Sequence, residues 1–300
     1  MKSSTKALMG KHGWRVDRAI HNYLYFIYYY RYVWFLYYLF KFLSKYLSWC
    51  KPLNLIIQMS FARYHAKVIS EADTVKIFEL NEDVSAVSDK NKRIVPFDYA
   101  YKILFQEPDF IAVMDCPCKK ALHAPDWTIN SCLSVGEKTS RFWVDQCGKK
   151  YNARKISQKD ALDLIKKFRA KGYLTQAFFK VATGGSTGVI CNCHKDYCVS
   201  LKATEFAKKF RNDFSMAVDS GYSCAHTPEK CGKCETCARI CQFNAVEFNG
   251  DGRIYKKEIC LGCGLCVEHC PREAIQLYRD VQKTVPLDMD IVKKEYASRA

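Results

Sequence analysis

Cysteine is the residue whose number and spacing offer chemistry in this chain, and that chemistry is thiolate ligation. The 300 residues include 17 cysteines. Cys231, Cys234, Cys237 and Cys241 are spaced C-x2-C-x2-C-x3-C. Cys260, Cys263, Cys266 and Cys270 repeat that spacing at an offset of 29 residues, and Pro271 follows the second run. The same offset carries Ala245 onto Ala274 and Val246 onto Ile275, so this is an internal duplication. Two residues between thiolates let the backbone curl round a cubane, so three successive sulfurs reach three irons of one cluster. The fourth cysteine starts a helix, points away and ligates the other cluster. By that rule Cys231, Cys234, Cys237 and Cys270 hold one [4Fe–4S] cluster, and Cys260, Cys263, Cys266 and Cys241 hold a second. Gly232, Gly262 and Gly264 suit a loop that packs close to inorganic sulfide. A zinc module would use separated C-x2-C pairs rather than two triple runs.

Six further thiols lie upstream: Cys116 and Cys118 around Pro117, then Cys132, then Cys191 and Cys193 around Asn192, then Cys198. Phe110 to Met114 reads as a short buried strand ending at Asp115, which delivers Cys116 and Cys118. Val189 and Ile190 deliver Cys191 and Cys193 in the same way. Two strand ends that each present C-x-C can face one another, with Cys132 and Cys198 completing a shell and His194 as a substitute ligand. Four of the six would hold a third [4Fe–4S] cluster or a zinc ion. Cys50, Cys147 and Cys224 have no such spacing and read as structural.

Residues of about 220 to 279 resemble a bacterial-type two-cluster ferredoxin domain, and every ligand of that pattern is present. Gln242 departs from it, standing where the family has proline, which loosens the turn of the first half. The arrangement over about residues 95 to 280 also resembles ferredoxin-like proteins that carry C-x-C and C-N-C segments ahead of the two-cluster domain. That resemblance implies an additional iron–sulfur site and names no reaction.

The elements that position these thiols give an α+β class. Val246 to Phe248, a turn over Asn249 to Gly252, and Arg253 to Tyr255 read as a β-hairpin between the two cysteine runs. Ser157 caps a helix with Asp160 in its first turn; Ala161, Leu162, Ile165 and Phe168 follow at helical spacing, and Gly172 stops it. Tyr173 to Val181 reads as a strand, Gly184 to Gly188 as a turn. Helix, strand, turn and strand together read as the tail of a winged-helix pattern. Thr204 to Arg211 reads as a short helix, Pro96 to Phe105 as another, and Val75 to Leu80 and Ile94–Val95 as strands. The expected division is a basic amphipathic segment over 1–50, an α+β domain over 51–215, a two-cluster ferredoxin-type domain over 216–282 and a tail over 283–300.

Asn22 to Phe40 contains eight tyrosines, three phenylalanines and Trp34. Arg31, Lys41, Ser44, Lys45 and Ser48 share one face of a helix; Val33, Leu36, Phe40, Leu43 and Leu47 lie opposite. Its eight Leu, Ile, Val and Phe residues each favour insertion by about 0.3 to 0.6 kcal/mol, and Arg31 costs about 2.5 to 3.5 kcal/mol. Asn22 and the tyrosine hydroxyls cancel the remainder. The segment is therefore expected to pack on the protein or a partner, or to lie in a membrane surface through residues 22–48, rather than to span.

Lys and Arg number 47 against 31 Asp and Glu, a net charge of +16. Met1 to Asp17 is polar and basic and reads as no cleavable leader. Thiols in such number, odd in count, point to metal binding in a reducing compartment, hence the cytoplasm, with peripheral attachment to the inner membrane face. The positive balance suits an acidic redox partner or an anionic membrane surface. The lysines and arginines are spread along the chain and no RNA-binding motif accompanies them, so nucleic acid is not the expected partner. No G-x-G-x-x-G and no C-x3-C-x2-C triad is present. The expected function is single-electron relay, as a carrier or redox subunit sooner than as a stand-alone enzyme, with the enzyme question left open. The alternatives are an iron–sulfur oxidoreductase with substrate chemistry upstream, and a nucleic-acid-binding module.

Overall fold

The computed structural model describes residues 16–61, 64–79, 110–180, 188–210, 215–249 and 252–288. In chain order the elements are α1 (Val16–Tyr28), α2 (Tyr30–Tyr46), α3 (Lys51–Phe61), β1 (Tyr64–Ile69), α4 (Glu71–Glu79), β2 (Ile111–Asp115), α5 (Pro117–Ala121), β3 (Asn130–Val135), α6 (Glu137–Tyr151), β4 (Arg154–Ile156), α7 (Gln158–Arg169), β5 (Leu174–Lys180), β6 (Gly188–Cys193), α8 (Val199–Ala207), β7 (Ala217–Val218), β8 (Tyr222–His226), α9 (Thr236–Arg239), β9 (Val246–Asn249), β10 (Gly252–Tyr255), α10 (Leu265–Glu268) and β11 (Ile275–Arg279).

Period-two alternation along the strands builds a sheet with two different faces. Seven strands pair in the order β4-β2-β3-β6-β5-β1-β7. All neighbours are antiparallel except β1 and β7. Ile111, Val113, Leu133, Val135 and Ile190 turn to one face, where Ile165 of α7 and Ile77 of α4 cover them. Met114, Cys132, Cys191, Cys193 and Leu174 turn to the other, under Tyr25, Phe26, Tyr29 and Val33 of the N-terminal helices. The sheet is thus apolar on one side and sulfur-rich on the other. Residues after β11 return to it: Lys67 Nζ donates to Thr284 Oγ1 at 2.8 Å, and Leu287 is buried with the α7 face.

The helix over 158–169 is capped as its sequence demands. Ser157 Oγ accepts from the Asp160 N–H, Asp160 answers the Ser157 N–H, and Gly172 turns the chain at a φ of 81°. Its strand partners, however, lie at the centre of the seven-stranded sheet rather than in a winged-helix wing, because β3 and β1 flank them. Of Val75 to Leu80, expected as a strand, the described residues Val75 to Glu79 fall in helix α4. Ser70 Oγ accepts from the Asp73 N–H at 3.1 Å, and Glu71 and Asp73 sit in the first turn, a start signal that outweighs the β-branched Val75. The helix expected over 204–211 runs instead from Val199 to Ala207, and Thr204 Oγ1 accepts from Met216 and Ala217. Pro96–Phe105, Ile94–Val95 and all of the expected Gly184–Gly188 turn except Gly188, which opens β6, lie outside the described residues.

The N-terminal segment is two helices, not one. Tyr29 breaks it at a φ of 44°, its hydroxyl donating to the Asp115 carbonyl at 2.5 Å and its ring stacking on Tyr151 at 3.8 Å. Val33, Tyr37 and Phe40 turn inward, the last two onto Phe206 of α8. Ser44, expected on the polar face, is buried and bonds back to the Lys41 carbonyl. Among the described residues no helix is long and apolar enough to cross a membrane.

The 29-residue repeat is visible in the backbone. Positive φ occurs in offset pairs: Lys233 and Gly262, Glu235 and Gly264, Asn244 and Glu273. β9 pairs with β10, and β8 with β11. Removing the α7 cap by Ser157→Ala is expected to destabilise the chain by about 1 kcal/mol. It should appear as a lower urea midpoint with an unchanged slope.

Candidate metal centre

The two C-terminal runs are held by matching hydrogen bonds. Ala245 N–H donates to Cys241 Sγ and Ala274 N–H to Cys270 Sγ, each at 3.2 Å, so both fourth cysteines are fixed alike. Cys231, Cys234, Cys237 and Cys270 line one small cavity of about 20 Å³, together with His226. In the other set Gly262 N–H donates to Cys260 Sγ at 3.3 Å. Cys263 interacts electrostatically with Cys266 and Cys241, and burial pushes its thiol up.

Buried donors test whether these sulfurs suit an iron–sulfur cluster. His226 Nε2 and Arg253 Nε and Nη2 are buried with no hydrogen-bond partner. Orphaned donors of this kind carry a desolvation cost unless an acceptor meets them. The first cavity is where such an acceptor would sit, since His226 lines it and Arg253 reaches the Cys237 sulfur. Inorganic sulfide and thiolate are acceptors, so these residues fit a cluster held by the four surrounding thiols.

Cys224, expected to be purely structural, lies with its Sγ 3.5 Å from Cys266 Sγ. Contact with Cys224 holds the Cys260 thiol below its usual range and raises that of Cys224. Nothing in the spacing signals this; the β8–β11 pairing places it. Cys147 is structural, with its thiol pushed up to about 12 by burial.

The six upstream thiols do come together. The β3–β6 register sets Cys132 opposite Cys191, with their sulfurs 2.9 Å apart. Cys116 hydrogen-bonds Cys118 and Cys132, and Cys193 hydrogen-bonds Cys191 and Cys198. The result is a continuous chain of sulfurs in the order 118, 116, 132, 191, 193, 198. Hydrogen bonds from its neighbours, then the Lys119 charge, favour the Cys116 thiolate against burial. Hydrogen bonding to Cys116 and Cys191 and burial raise Cys132; burial foremost raises Cys193. All six line a cavity of about 360 Å³ that α2 and α3 cover with Leu36, Phe40 and Leu53. His194 lies on its wall, its ring 5.0 Å from that of Tyr173. Among the described residues no three His, Cys, Asp or Glu side chains converge as ligands of a single ion do.

Two residues that spacing could not reveal join this face to the C-terminal runs. Arg169, 2 % exposed, closes α7 by donating to both carboxylate oxygens of Glu268 and, at 2.5 Å, to the Cys263 carbonyl. Gln242 donates to the Gly172 carbonyl at 2.6 Å and accepts from Lys195 N–H at 2.8 Å. The departure from proline therefore ties the turn down where it was expected to loosen it. Cys263 and Leu265 pack in the same apolar cluster as Cys116, Cys191 and Cys198.

A 4Fe-4S binding domain model matches residues 254–276. The C-terminal region is a ferredoxin-like iron–sulfur domain. It holds at least one [4Fe–4S] site, whose chemistry is single-electron transfer. The chain is 31% identical over 67 residues to a protein of Gloeobacter violaceus named NAD(P)H-quinone oxidoreductase subunit I, covering 19% of this chain and 32% of that one. It is 36% identical over 53 residues to pyruvate synthase subunit PorD of Methanocaldococcus jannaschii, covering 17% of this chain and 62% of that one. The chain thus spans about a third and about three-fifths of the length of these relatives.

Gly262 distinguishes the two loops of the domain. A Cβ there would strike the Tyr222 carbonyl and the Ser220 hydroxyl, whereas one at Gly232 meets only the flexible Arg272 side chain, at 3.2 Å. Its offset partner is Lys233, so the backbone angle alone tolerates a side chain. Gly262→Ala is expected to lose the iron held by the 260–266 loop, about four atoms per chain, while Gly232→Ala retains it; iron analysis of the purified proteins checks this.

Proposed function

We propose that the chain relays single electrons through two [4Fe–4S] clusters and a third, upstream cluster held by four of Cys116, Cys118, Cys132, Cys191, Cys193 and Cys198. The convergence of six thiols on the sheet face against which the 260–266 loop is docked carries this reading. When bound, the clusters supply one-electron exchange without bond rearrangement. The protein's part is to fix the sulfurs, exclude water and hold the two regions rigidly together. Arg169 and Gln242 do the last of these, and α1 and α2 roof the upstream thiols with aromatic side chains while α3 adds Leu53, Ile56 and Ile57.

A redox partner is part of this reading, and the similarity to subunits of redox enzymes supports it. So is a cytoplasmic place on a membrane surface. Trp34, Phe35, Tyr38, Leu39, Phe42 and Tyr46 are all exposed on α2, with Lys41 and Lys45 among them. Aromatic residues beside lysines favour the interface of an anionic bilayer. The upstream cavity favours a second reading, an oxidoreductase that admits an apolar substrate there. Oxidation of the reduced protein by a small molecule without any partner protein would establish it. The nucleic-acid alternative leans on a winged-helix segment whose strands belong instead to the large sheet.

Iron and acid-labile sulfide on anaerobically purified protein test the main reading. About twelve of each per chain are expected, falling to about eight in the Cys132→Ser/Cys191→Ser variant. Eight irons and one zinc in the unmodified protein would instead place zinc upstream. For the membrane surface, replacing Trp34, Phe35, Tyr38 and Phe42 by serine is expected to abolish co-sedimentation with phosphatidylglycerol vesicles. Iron content should stay unchanged; retained binding would contradict an interfacial role for α2.

A further inference from the structure

The repeat relates the two C-terminal sulfur sets, but the strand residues beside them differ in charge. The offset pairs Cys224 of β8 with Arg253 of β10, and His226 with Tyr255. Beside the second set stand the Cys224 thiol, 3.5 Å from Cys266 Sγ, and the Tyr255 hydroxyl, which reaches Cys260. Both are uncharged. Beside the first set stand Arg253, which reaches the Cys237 sulfur, and His226, which lines the first cavity. Their Nε, Nη2 and Nε2 atoms are the buried donors that lack a partner. Other cations do approach the second set. Arg169 is paired there with both oxygens of Glu268 and Lys283 bonds the Cys260 carbonyl, and their charges still favour the Cys263 and Cys260 thiolates; neither makes a hydrogen bond to a sulfur of the set.

Exposure differs in the same sense. Gly232 to Glu235 are exposed, whereas in the offset loop Cys260, Gly262, Gly264, Leu265 and Cys266 are buried against Tyr222, Ser220 and the sheet. One set faces solvent and the other faces the protein.

We propose that Arg253, assisted by His226, holds the first cluster at a higher reduction potential than the second, so that the electron of a singly reduced chain rests at the exposed end. The inference rests on the two-cluster reading. Reduction adds one negative charge to a cluster, and a fixed guanidinium beside it favours that state. Hydrogen bonds aimed at sulfur act in the same direction, so those from Gly262 and Tyr255 to Cys260 partly offset the effect of the guanidinium. Arginine stays protonated throughout the working range, so the bias is constant with pH. Arg253 hydrogen-bonds the Cys237 sulfur, while toward the second set it acts on Cys266 by charge alone and lies 5.2 Å over the Tyr255 ring, so its removal affects both sets. Arg253 and His226 are positioning residues for electron transfer; an incoming redox partner meets the reduced cluster at the Gly232–Glu235 loop.

Stepwise dithionite reduction of the anaerobic holoprotein tests this. It is followed by EPR and by the paramagnetically shifted cysteine β-proton signals, which assign each electron to a set. In the unmodified chain the first electron is expected on the set of Cys231, Cys234, Cys237 and Cys270. Arg253→Met should reduce the preference at least tenfold, which for one electron is about 59 mV. Arg253→Lys should restore most of it, and His226→Phe should lower it less. Iron and sulfide are counted on every sample. A first electron on the second set overturns the proposal, as do unmoved potentials in Arg253→Met at full iron content. Iron sufficient for one set alone overturns the two-cluster reading itself. The unmodified chain decides the ordering even where a variant loses iron.

Discussion

Thiols packed sulfur against sulfur inside a protein are a constrained arrangement, and the rest of this structure depends on how that constraint is met. A thiolate is costly in a low-dielectric interior unless a metal or donors compensate it, and neutral thiols are weak hydrogen-bond partners. The six upstream cysteines form one such grouping and Cys224 meets Cys266 in another, and the Cys132–Cys191 sulfur separation of 2.9 Å is too long for a disulfide. The upstream chain of sulfurs exists because β3 and β6 pair in one register. A slip of a single residue would send Cys132, or Cys191 and Cys193, to the opposite face. The apolar pattern of Leu133, Val135 and Ile190 on that opposite face prevents the slip.

The same logic explains why the C-terminal module is fastened to the sheet. Arg169 is buried with its charge answered by Glu268 and its remaining donors by Thr175 and Cys263. Removing one partner of such a pair leaves an uncompensated buried charge, which makes the contact rigid in practice. Lys67, lowered to about 8 chiefly by burial, adds a second tie through Asp219 and Thr284. Two regions that could have been separate modules are thereby one assembly, with the 260–266 loop inside it.

Much of the ligand set is legible in the sequence because its spacing is local. The two repeats of four cysteines are legible whatever surrounds them, and the hairpin over 246–255 follows from its turn residues. The upstream six are legible as strand exits through the period of two, but their convergence needs the register of distant strands. Arg169, Gln242, Arg253 and Cys224 carry no local signal, since each acts across a long sequence separation. The break at Tyr29 is of the same kind: a tyrosine adopts a φ of 44° because the Asp115 carbonyl and the Tyr151 ring hold it there. Val75 misleads because β-propensity is weaker than the cap and acidic turn that precede it.

The claim beneath all of this is that the described sulfurs hold iron–sulfur cubanes. Mössbauer spectroscopy of anaerobic protein enriched in 57Fe tests it most directly. The account predicts that the iron gives the delocalised mixed-valence signal of [4Fe–4S] clusters, from the upstream thiols as well as the C-terminal eight. Iron confined to isolated tetrahedral thiolate sites, or protein that folds with zinc and no iron, would contradict it.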